Sequence, residues 1–230
     1  MLKHSCLSAS LHSIVTTRDG SHTVLLHKTG EHYHSQFGAL TESLYVFEKQ
    51  GLNHFKGLKK LNLLEVGFGT GLNAALAFRW AAENRVEVHY TGLEPFPLPF
   101  ELIQNLNYGS FKEVDVFYHS IQQQYNQLIE GATVPIGSSP CVVVRERLLD
   151  FETKQRYNLV FYDAFSPSTQ EDMWDEAAVR KIVSLMEEGG VLVTYCIRAY
   201  IRRAFVALGC KAEKLPGPPG KREMLRITKA

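Results

Sequence analysis

Residues 61–73, LNLLEVGFGTGLN, combine an apolar run, an acid and a glycine-rich loop. The acid is Glu65, and the glycines stand at alternate positions after it: Gly67, Gly69 and Gly71. Glycine supplies the backbone freedom for a sharp turn from strand to helix, and a helix amino terminus reached through such a turn faces a ligand. The dinucleotide fingerprint G-x-G-x-x-G would need its third glycine at Leu72, and no Gly-Lys-Ser/Thr follows for a phosphate loop.

The acid in this loop favours one class of ligand. A carboxylate at Glu65 repels a pyrophosphate and attracts a cation. S-adenosylmethionine carries an ammonium and a sulfonium, and the spacing E-x-G-x-G-x-G resembles the donor loop of class I methyltransferases. The next apolar run ends in YTGLEP, which places Glu94 where a carboxylate usually accepts the two ribose hydroxyls in either ligand class. The predicted cofactor residues in these two segments are Glu65, Gly67, Phe68, Gly69, Gly71, Asn73 and Glu94.

Residues 157–167, YNLVFYDAFSP, place Asp163 at the end of a second apolar run. Neighbouring parallel strands end at one crevice, so Asp163 should face the glycine loop. Methyl transfer is an in-line displacement that depends mainly on orientation, and an amine acceptor must lose its proton. We predict that Asp163 is the catalytic residue, which orients an amine and accepts its proton. The alternative is a helix N-cap, but Ser166, Ser168 and Thr169 lie closer to the following helix.

Strand and helix patterns alternate around these segments. Strands are predicted at residues 61–66, 86–93, 141–144, 158–163, 191–195, 211–215 and 224–228. Helices are predicted at 72–82, 100–106, 121–128, 171–186 and 198–208, and 131–140 has the composition of a turn-rich loop. This alternation predicts an α/β fold with a mostly parallel sheet covered by helices on both faces.

The first 50 residues differ in pattern from the rest. Two turn signals, Asp19-Gly20 and Thr29-Gly30, separate β-branched stretches, and residues 37–47 have apolar positions at helical spacing. We expect a small N-terminal β/α extension, residues 1–50, packed on a methyltransferase domain of residues 51–230.

Composition limits the class of protein. The 230 residues are 45% apolar and 21% charged, which is ordinary for a globular protein. The net charge of +1 gives no indication, taken over the whole chain, of binding to nucleic acid. The histidines have no metal-ligand spacing, and no apolar run approaches the roughly 18 residues of a membrane span. The cysteines form no CxxC pair: Cys6, Cys141, Cys196 and Cys210. We expect a cytoplasmic protein with no metal and no membrane association.

Six segments together resemble one family. They are 33–47 (YHSQFGALTESLYVF), 63–76 (LLEVGFGTGLNAAL), 162–174 (YDAFSPSTQEDMW), 189–196 (GGVLVTYC), 206–210 (VALGC) and 216–225 (PGPPGKREML). They are similar to the methyltransferase domain of the bifunctional tRNA 5-methylaminomethyl-2-thiouridine biosynthesis protein, and more closely to stand-alone relatives that lack its FAD-dependent oxidase domain. The resemblance implies a Rossmann-like class I S-adenosylmethionine-dependent methyltransferase with a seven-stranded, mostly parallel sheet.

The resemblance also implies a reaction. The acceptor is the primary amine of 5-aminomethyluridine at the tRNA wobble position, the donor product is S-adenosylhomocysteine, and no FAD is expected. The implied partners are the anticodon region of tRNA and, functionally, the enzymes that make 5-aminomethyluridine. By this resemblance, Asp163 is the acid near the transferred methyl group and the acceptor amine, and Phe165 and Pro167 shape the pocket wall. The family's usual Gly-Asp after the third strand is replaced by Arg145-Glu146-Arg147, so the adenine contact falls to Glu146 or Asp150.

A tRNA substrate requires positive charge near the site. Residues 198–230 contain nine basic residues against two acids, Glu213 and Glu223: Arg198, Arg202, Arg203, Lys211, Lys214, Lys221, Arg222, Arg226 and Lys229. We expect Lys221 and Arg222, which follow a Pro/Gly loop, to bind tRNA. Tyr33 with His34, or Trp174, has the aromatic ring needed to stack on an exposed base, but we expect each of them to belong to the core or the pocket wall rather than to form such a platform.

Two other functions fit parts of the sequence. An aminopropyl or methyl transferase of the polyamine-synthase kind shares the glycine loop and the acid of the fourth strand, although the basic carboxyl-terminal third disfavours a polycationic substrate. An inactive protein that binds S-adenosylmethionine or tRNA would explain the altered third-strand motif, but it would not explain Asp163.

Overall fold

The computed structural model describes residues 11–230, so Cys6 and the rest of residues 1–10 lie outside the described chain. The strands are β1 (His12–Thr16), β2 (His22–Leu26), β3 (Glu31–His32), β4 (Lys60–Val66), β5 (Glu87–Leu93), β6 (Val134–Ile136), β7 (Ser139–Val144), β8 (Tyr157–Tyr162), β9 (Met186–Thr194), β10 (Lys211–Pro216) and β11 (Glu223–Thr228). The α-helices are α1 (Ala39–Ser43), α2 (Leu72–Asn84), α3 (Phe100–Asn105), α4 (Asp115–Ile129), α5 (Glu176–Leu185) and α6 (Ala199–Ala207). A π-helical segment, Leu44–Lys49, continues α1.

The main sheet within residues 11–230 has eight strands in the order β10-β11-β9-β8-β4-β5-β7-β6. The strands from β9 to β7 in this order run parallel, whereas β10, β11 and β6 are antiparallel at the two edges. The parallel strands therefore end on the same side of the sheet, and the segments after β4, β5, β7 and β8 meet there. This arrangement confirms the predicted Rossmann-like α/β fold.

Helices cover both faces of the sheet because alternate strand residues point to opposite sides. In β4, Leu61 and Leu63 belong to one buried apolar cluster, which includes residues of α2 and α4. Leu64 and Val66 belong to a second cluster, which includes residues of α5 and α6. The central strands are apolar on both faces, as buried parallel strands are.

The sheet has one strand more than the sequence predicts. Residues 131–140, predicted as a loop, contain β6, which pairs antiparallel with β7 at the edge of the sheet. Val134 and Ile136 are buried on either side of exposed Pro135. Proline lacks the N–H that a central strand requires, but an edge strand tolerates it. The proline content therefore suggested a loop where an edge strand forms.

The amino-terminal strands β1, β2 and β3 form a separate antiparallel sheet, which is the β part of the predicted N-terminal β/α extension. Hydrogen bonds join it to the larger part of the chain: His22 N–H donates to Asn107 Oδ1 at 2.8 Å, and Tyr108 Oη donates to the His22 carbonyl at 2.6 Å. The domain boundary at residue 50 stays a prediction. Within the described chain, no helix has the length and hydropathy needed to cross a membrane.

Candidate functional site

A cavity of about 1100 Å³ lies where the parallel strands end, and we refer to it as the main cavity. Its walls come from the loops after β4, β5, β7 and β8, from the amino-terminal sheet and from the loop between β10 and β11. The volume exceeds the ~300–1,000 Å³ of ordinary small-ligand pockets. The main cavity therefore has room for a donor and an acceptor group together.

The glycine loop between β4 and α2 forms one side of the main cavity. Gly67, Gly69 and Gly71 all have φ in the left-handed region, at 93°, 51° and 77°. A Cβ on Gly67 would lie 2.6 Å from the carbonyl oxygen of Asp163. This position therefore requires glycine for two reasons: the loop must turn sharply, and it must pass close to the end of β8.

Glu94 joins the glycine loop to the segment after β5. Its Oε2 accepts the Gly69 N–H at 3.0 Å, and its Oε1 accepts the Phe96 N–H at 3.1 Å. Burial raises the pKa of Glu94, and the two backbone hydrogen bonds oppose that shift. Each carboxylate oxygen can accept a further hydrogen bond. The geometry suits the predicted contact with ribose hydroxyls, which stays a prediction.

Asn73, in the first turn of α2, links two carboxylates. Its Nδ2 donates to Glu65 Oε1 at 2.8 Å and to Asp163 Oδ2 at 2.9 Å. Glu65 is 0% exposed and also accepts a hydrogen bond from the hydroxyl of Tyr90. Burial raises the pKa of Glu65 well above its ordinary value. Glu65 thus lies behind the cavity wall, where it fixes Asn73 rather than touching the cavity.

Asp163 follows β8 directly and lines the main cavity. Burial raises the pKa of its carboxyl to about 7, the negative charge of Glu42 adds to this, and the Asn73 hydrogen bond and Lys221 oppose it. A carboxyl that titrates near neutral pH can take up and release protons in the range where general acid–base catalysts work best. The predicted catalytic residue therefore has both the position and the proton affinity for that role.

Lys221 reaches the main cavity from the loop before β11. Its Nζ donates to Glu42 Oε1 at 2.5 Å and lies 3.9 Å from the centroid of the Tyr195 ring. Glu42 is only 7% exposed and also accepts the Ser35 N–H at 2.9 Å. Tyr195 Oη donates to the carbonyl of Ala164, next to Asp163, at 2.8 Å. The side chain predicted to bind tRNA is held beside the catalytic candidate.

Tyr33 and Phe165 form an aromatic wall, with ring centroids 4.8 Å apart and planes at 78°. Trp174 is 1% exposed, and its indole N–H donates to the Phe165 carbonyl at 2.7 Å. His34 is buried, its Nε2 lies 2.7 Å from Thr70 Oγ1, and burial lowers its pKa to about 4. The burial of Trp174 and His34 agrees with the expectation that they are core or pocket-wall residues rather than platforms for an exposed base.

The loop after β8 is anchored to the amino-terminal sheet. Ser166 N–H donates to Glu31 Oε1 at 2.7 Å, and Ser166 Oγ donates to Glu31 Oε2 at 3.2 Å. The N-cap of α5 is Asp175, whose carboxylate accepts the Ala178 N–H at 2.8 Å. Asp163 is therefore not the cap, as the sequence argued, and the cap is Asp175 rather than a serine or threonine because the loop is longer than predicted and Ser166 binds Glu31.

The adenine side of the predicted cofactor site has one polar and two apolar candidates. Glu146, after β7, is exposed and lines the main cavity, whereas Asp150 is not part of the lining. Phe96, which is 68% exposed, and Leu148 also line it. Sequence reasoning missed Phe96, although an apolar residue between two prolines directly after a ribose carboxylate was the available signal.

The structure sorts the other predicted residues by position. The predicted cofactor residues in the lining of the main cavity are Gly67, Phe68, Gly69, Glu94 and Glu146, and those outside it are Glu65, Gly71 and Asn73. The predicted substrate residues in the lining are Tyr33, Phe165 and Lys221. The other two substrate residues, Pro167 and Arg222, line a smaller depression of about 280 Å³, which we call the side depression.

The main cavity has a surplus of negative charge. Among the described residues, its lining has three Lys or Arg side chains, Lys28, Arg147 and Lys221, and six carboxylates: Glu31, Glu42, Glu94, Glu146, Asp163 and Asp172. Such a surplus attracts a cation and repels a phosphate. The described part of the chain contains no group of three or more His, Cys, Asp or Glu residues placed to hold a metal.

A family model decides the class of protein. The model described as S-adenosyl-L-methionine-dependent methyltransferase matches residues 115–230. The chain belongs to this family. S-adenosylmethionine is therefore the methyl donor of this methyltransferase, and the close-packed glycine loop, the Glu94 carboxylate and the negative charge of the main cavity fit that cation.

Curated relatives are similar over most of the methyltransferase chain. The tRNA 5-methylaminomethyl-2-thiouridine biosynthesis bifunctional protein MnmC of Cupriavidus metallidurans is 29% identical over 203 residues, which cover 84% of this chain and 30% of the relative. The protein of the same name from Leptospira interrogans is 27% identical over 215 residues, 84% of this chain and 32% of the relative. This chain thus spans about a third of the length of these relatives.

A solved structure is similar to the whole fold. The crystal structure of MNMC2 from Aquifex aeolicus matches this methyltransferase with a TM-score of 0.76 and 27% identity. The match covers 95% of this chain and 69% of the other. These comparisons confirm the resemblance predicted from the six sequence segments.

Proposed function

We propose that this methyltransferase converts 5-aminomethyluridine to 5-methylaminomethyluridine at the wobble position of tRNA. The observation that carries the proposal is the place of Asp163, which lines the main cavity beside the glycine loop with a pKa raised to about 7 by burial. The names of the relatives, which describe biosynthesis of a methylaminomethyl-thiouridine in tRNA, support the acceptor.

The chemistry follows from the protonation state of the acceptor. An alkylamine at neutral pH is mostly an ammonium, as lysine is, and only its neutral form has a lone pair for attack. When bound, S-adenosylmethionine supplies the methyl group on a sulfonium, and the thioether S-adenosylhomocysteine is left. Asp163 orients the amine and takes up its proton, and a pKa near 7 makes it a better acceptor than an ordinary aspartate.

Lys221 assists the loss of the proton by its charge. Its ammonium lies in the same cavity as Asp163, held by Glu42 and the Tyr195 ring. A like charge disfavours a second cation nearby, so Lys221 opposes the rise in amine pKa that Asp163 and Glu42 cause. Asp163 alone would favour the ammonium form of that amine. Lys221 therefore limits the preference of these carboxylates for the ammonium form of the amine, but it does not cancel that preference.

The remaining predicted residues take roles around this centre. Glu94 binds the ribose of the donor, and Glu146 with Phe96 and Leu148 contacts the adenine. Tyr33 and Phe165 bind the target base. The anticodon region of tRNA is the proposed partner, and the link to the enzymes that make 5-aminomethyluridine and the cytoplasmic location stay predictions.

A second candidate acceptor is a small polyamine. The six carboxylates of the main cavity would attract such a polycation as well as a cationic donor. Incubation with labelled S-adenosylmethionine separates the two candidates, with tRNA bearing 5-aminomethyluridine, spermidine and putrescine as parallel acceptors. The proposal expects label as N-methylated amine in tRNA alone. Label in the polyamines alone would identify the second candidate, and an absence of transfer to all three would favour an inactive binding protein.

A further inference from the structure

The structure divides the nine basic residues of positions 198–230, all within the described chain, into two groups. Five form ion pairs with glutamates: Lys211, Lys214, Lys221, Arg226 and Lys229. The other four are all arginines, and none is in an ion pair with a described residue: Arg198, Arg202, Arg203 and Arg222. Lys211 and Arg226 share Glu213, so four glutamates oppose these five basic residues, and most of the local basic excess lies on the four arginines.

Two of the four arginines, Arg198 and Arg222, are exposed and line the side depression. Among the described residues, Glu223 is the one carboxylate that lines it, and its Oε2 accepts a hydrogen bond from Lys214 Nζ at 2.9 Å. Lys221 also lines it, but that ammonium is paired with Glu42. The positive charge of Arg222 also helps to lower the pKa of Glu223, so Lys214 and Arg222 share this one carboxylate. Positive charge is therefore in excess in this concave site, where Arg198 has no ion pair with a described residue.

The side depression adjoins the main cavity. Tyr195 and Lys221 line both, and Pro167 brings the loop after Asp163 to its edge. A nucleotide whose amine reaches Asp163 would therefore place its neighbouring backbone against the side depression. Arginine suits that position because its planar guanidinium binds a phosphate through two parallel hydrogen bonds.

We propose that Arg198 and Arg222 form a subsite for the phosphate groups that flank the target nucleotide in RNA. This inference rests on the proposed function, because it takes tRNA as the acceptor. The inference goes beyond that function because it states which basic residues bind RNA. These are the two arginines, and the ion-paired lysines of the β10–β11 hairpin do not contribute. Lys221, in particular, belongs to the chemistry of the main cavity.

The test measures binding of an unmodified tRNA transcript as a function of NaCl concentration. Arg198→Ala and Arg222→Ala should each weaken binding roughly tenfold, the double variant on the order of a hundredfold, and each arginine lost should lower the salt slope by about one. Arg203→Ala is the matched control, since Arg203 is an exposed arginine of α6 that lines neither cavity and lacks an ion pair with any described residue. Arg203→Ala should bind the tRNA transcript with the affinity and salt slope of the unsubstituted protein.

Methylation kinetics separate this inference from the proposed function. With free 5-aminomethyluridine nucleoside, which has no phosphates, the double variant should keep its kcat/KM, while its KM for tRNA rises. If the double variant keeps the affinity and salt slope of Arg203→Ala, the subsite is wrong. If polyglutamate binds with the same arginine dependence while tRNA does not bind, the RNA assignment is wrong. Arginine-dependent tRNA binding without methyl transfer to any amine would retain the subsite and overturn the proposed function.

Discussion

The main cavity and the side depression share a wall, yet they carry opposite charge. Six carboxylates line the main cavity against three Lys or Arg residues, counted over the described chain. The side depression has an excess of positive charge, because two arginines line it and its described carboxylate, Glu223, is already paired with Lys214. The difference matches the two substrates of the proposed reaction, since the donor is a cation and RNA is a polyanion.

The wall that the main cavity and the side depression share contains a basic residue, Lys221, whose charge is already paired. Lys221 contributes to both, but Glu42 and the Tyr195 ring hold its ammonium. Its field acts on Asp163, while Arg198 and Arg222 are left to face solvent. Net charge along the chain could not reveal this division, because pairing across the fold decides which basic residues are available to a ligand.

The largest expected effect is that of removing the proton acceptor from the main cavity. Asp163→Asn keeps the shape of the side chain but cannot take a proton from an amine, so kcat should fall by about 100-fold or more. The affinity for S-adenosylmethionine, measured by calorimetry, should change little. Glu187→Gln is the control, since Glu187 is an exposed carboxylate of β9 outside both linings. Unchanged turnover in Asp163→Asn would remove Asp163 from the mechanism.

The next effect concerns the donor half of the main cavity. Glu94→Ala removes the proposed ribose acceptor and leaves the Gly69 and Phe96 N–H groups without their partner. Loss of hydrogen bonds to a charged group should raise the Kd for S-adenosylmethionine by about tenfold or more. Binding of unmodified tRNA should be unaffected, because Glu94 is not part of the side depression. A variant with normal donor affinity would contradict the assignment.

A smaller effect, on the pH dependence of kcat/KM, tests the role of Lys221 in the shared wall. The logarithm of kcat/KM should fall as pH drops through about 7, since Asp163 must be unprotonated to accept a proton. Lys221 lowers the pKa of Asp163, so Lys221→Met should raise that pKa and move the acid limb to higher pH by up to about one unit. Without Lys221, the negative charge of Glu42 is no longer paired. This charge raises the pKa of Asp163, so it moves the acid limb in the same direction.

The same variant distinguishes the two regions. Lys221→Met should leave the salt slope of tRNA binding unchanged, because the ammonium is already paired with Glu42. If the slope falls by about one while the pH profile stays in place, Lys221 is a phosphate contact, as the sequence suggested, and the proposed division between the two regions is wrong.

The catalytic centre could be predicted because its residues follow strand ends, which are local features of the sequence. Glu94 and Asp163 each come directly after a buried apolar run, and parallel strands bring such positions together. The glycine loop was recognisable from its spacing alone. The fold followed from the same alternation, apart from β6, whose Pro135 is a loop signal that an edge strand tolerates.

The rest of the site depends on contacts between distant parts of the chain. Lys221 and its partner Glu42 are separated by 179 positions, and Ser166 and Glu31 by 135. Asn73 holds two carboxylates, of which one is 90 positions away. A sequence pattern reports the type and local spacing of residues, so it could identify Lys221 as basic but could not show that its charge is used within the main cavity.

The smallest effect is on stability and comes from burying Asp163 in a cavity that already has a carboxylate surplus. Its pKa is about 7 in the folded protein and near 4 when unfolded, so the folded state binds more protons between these values. Ionisation of Asp163 therefore destabilises the fold as pH rises from about 4 to 7, and the full penalty is present above 7. Asp163→Asn removes it.

A pKa shift from about 4 to about 7 corresponds to an upper limit of about 4 kcal/mol. We expect Asp163→Asn to raise Tm at pH 8 by at least about 2–4 °C, the change that ~1 kcal/mol produces in a chain of this size, and to leave Tm nearly unchanged at pH 4. Thermal unfolding followed by circular dichroism at the two pH values measures this difference. A Tm that falls equally at both would mean that Asp163 is stabilised by its hydrogen bond to Asn73 rather than strained by burial. A gain at pH 8 alone would show that the fold gives up stability to keep an ionisable carboxyl in the main cavity.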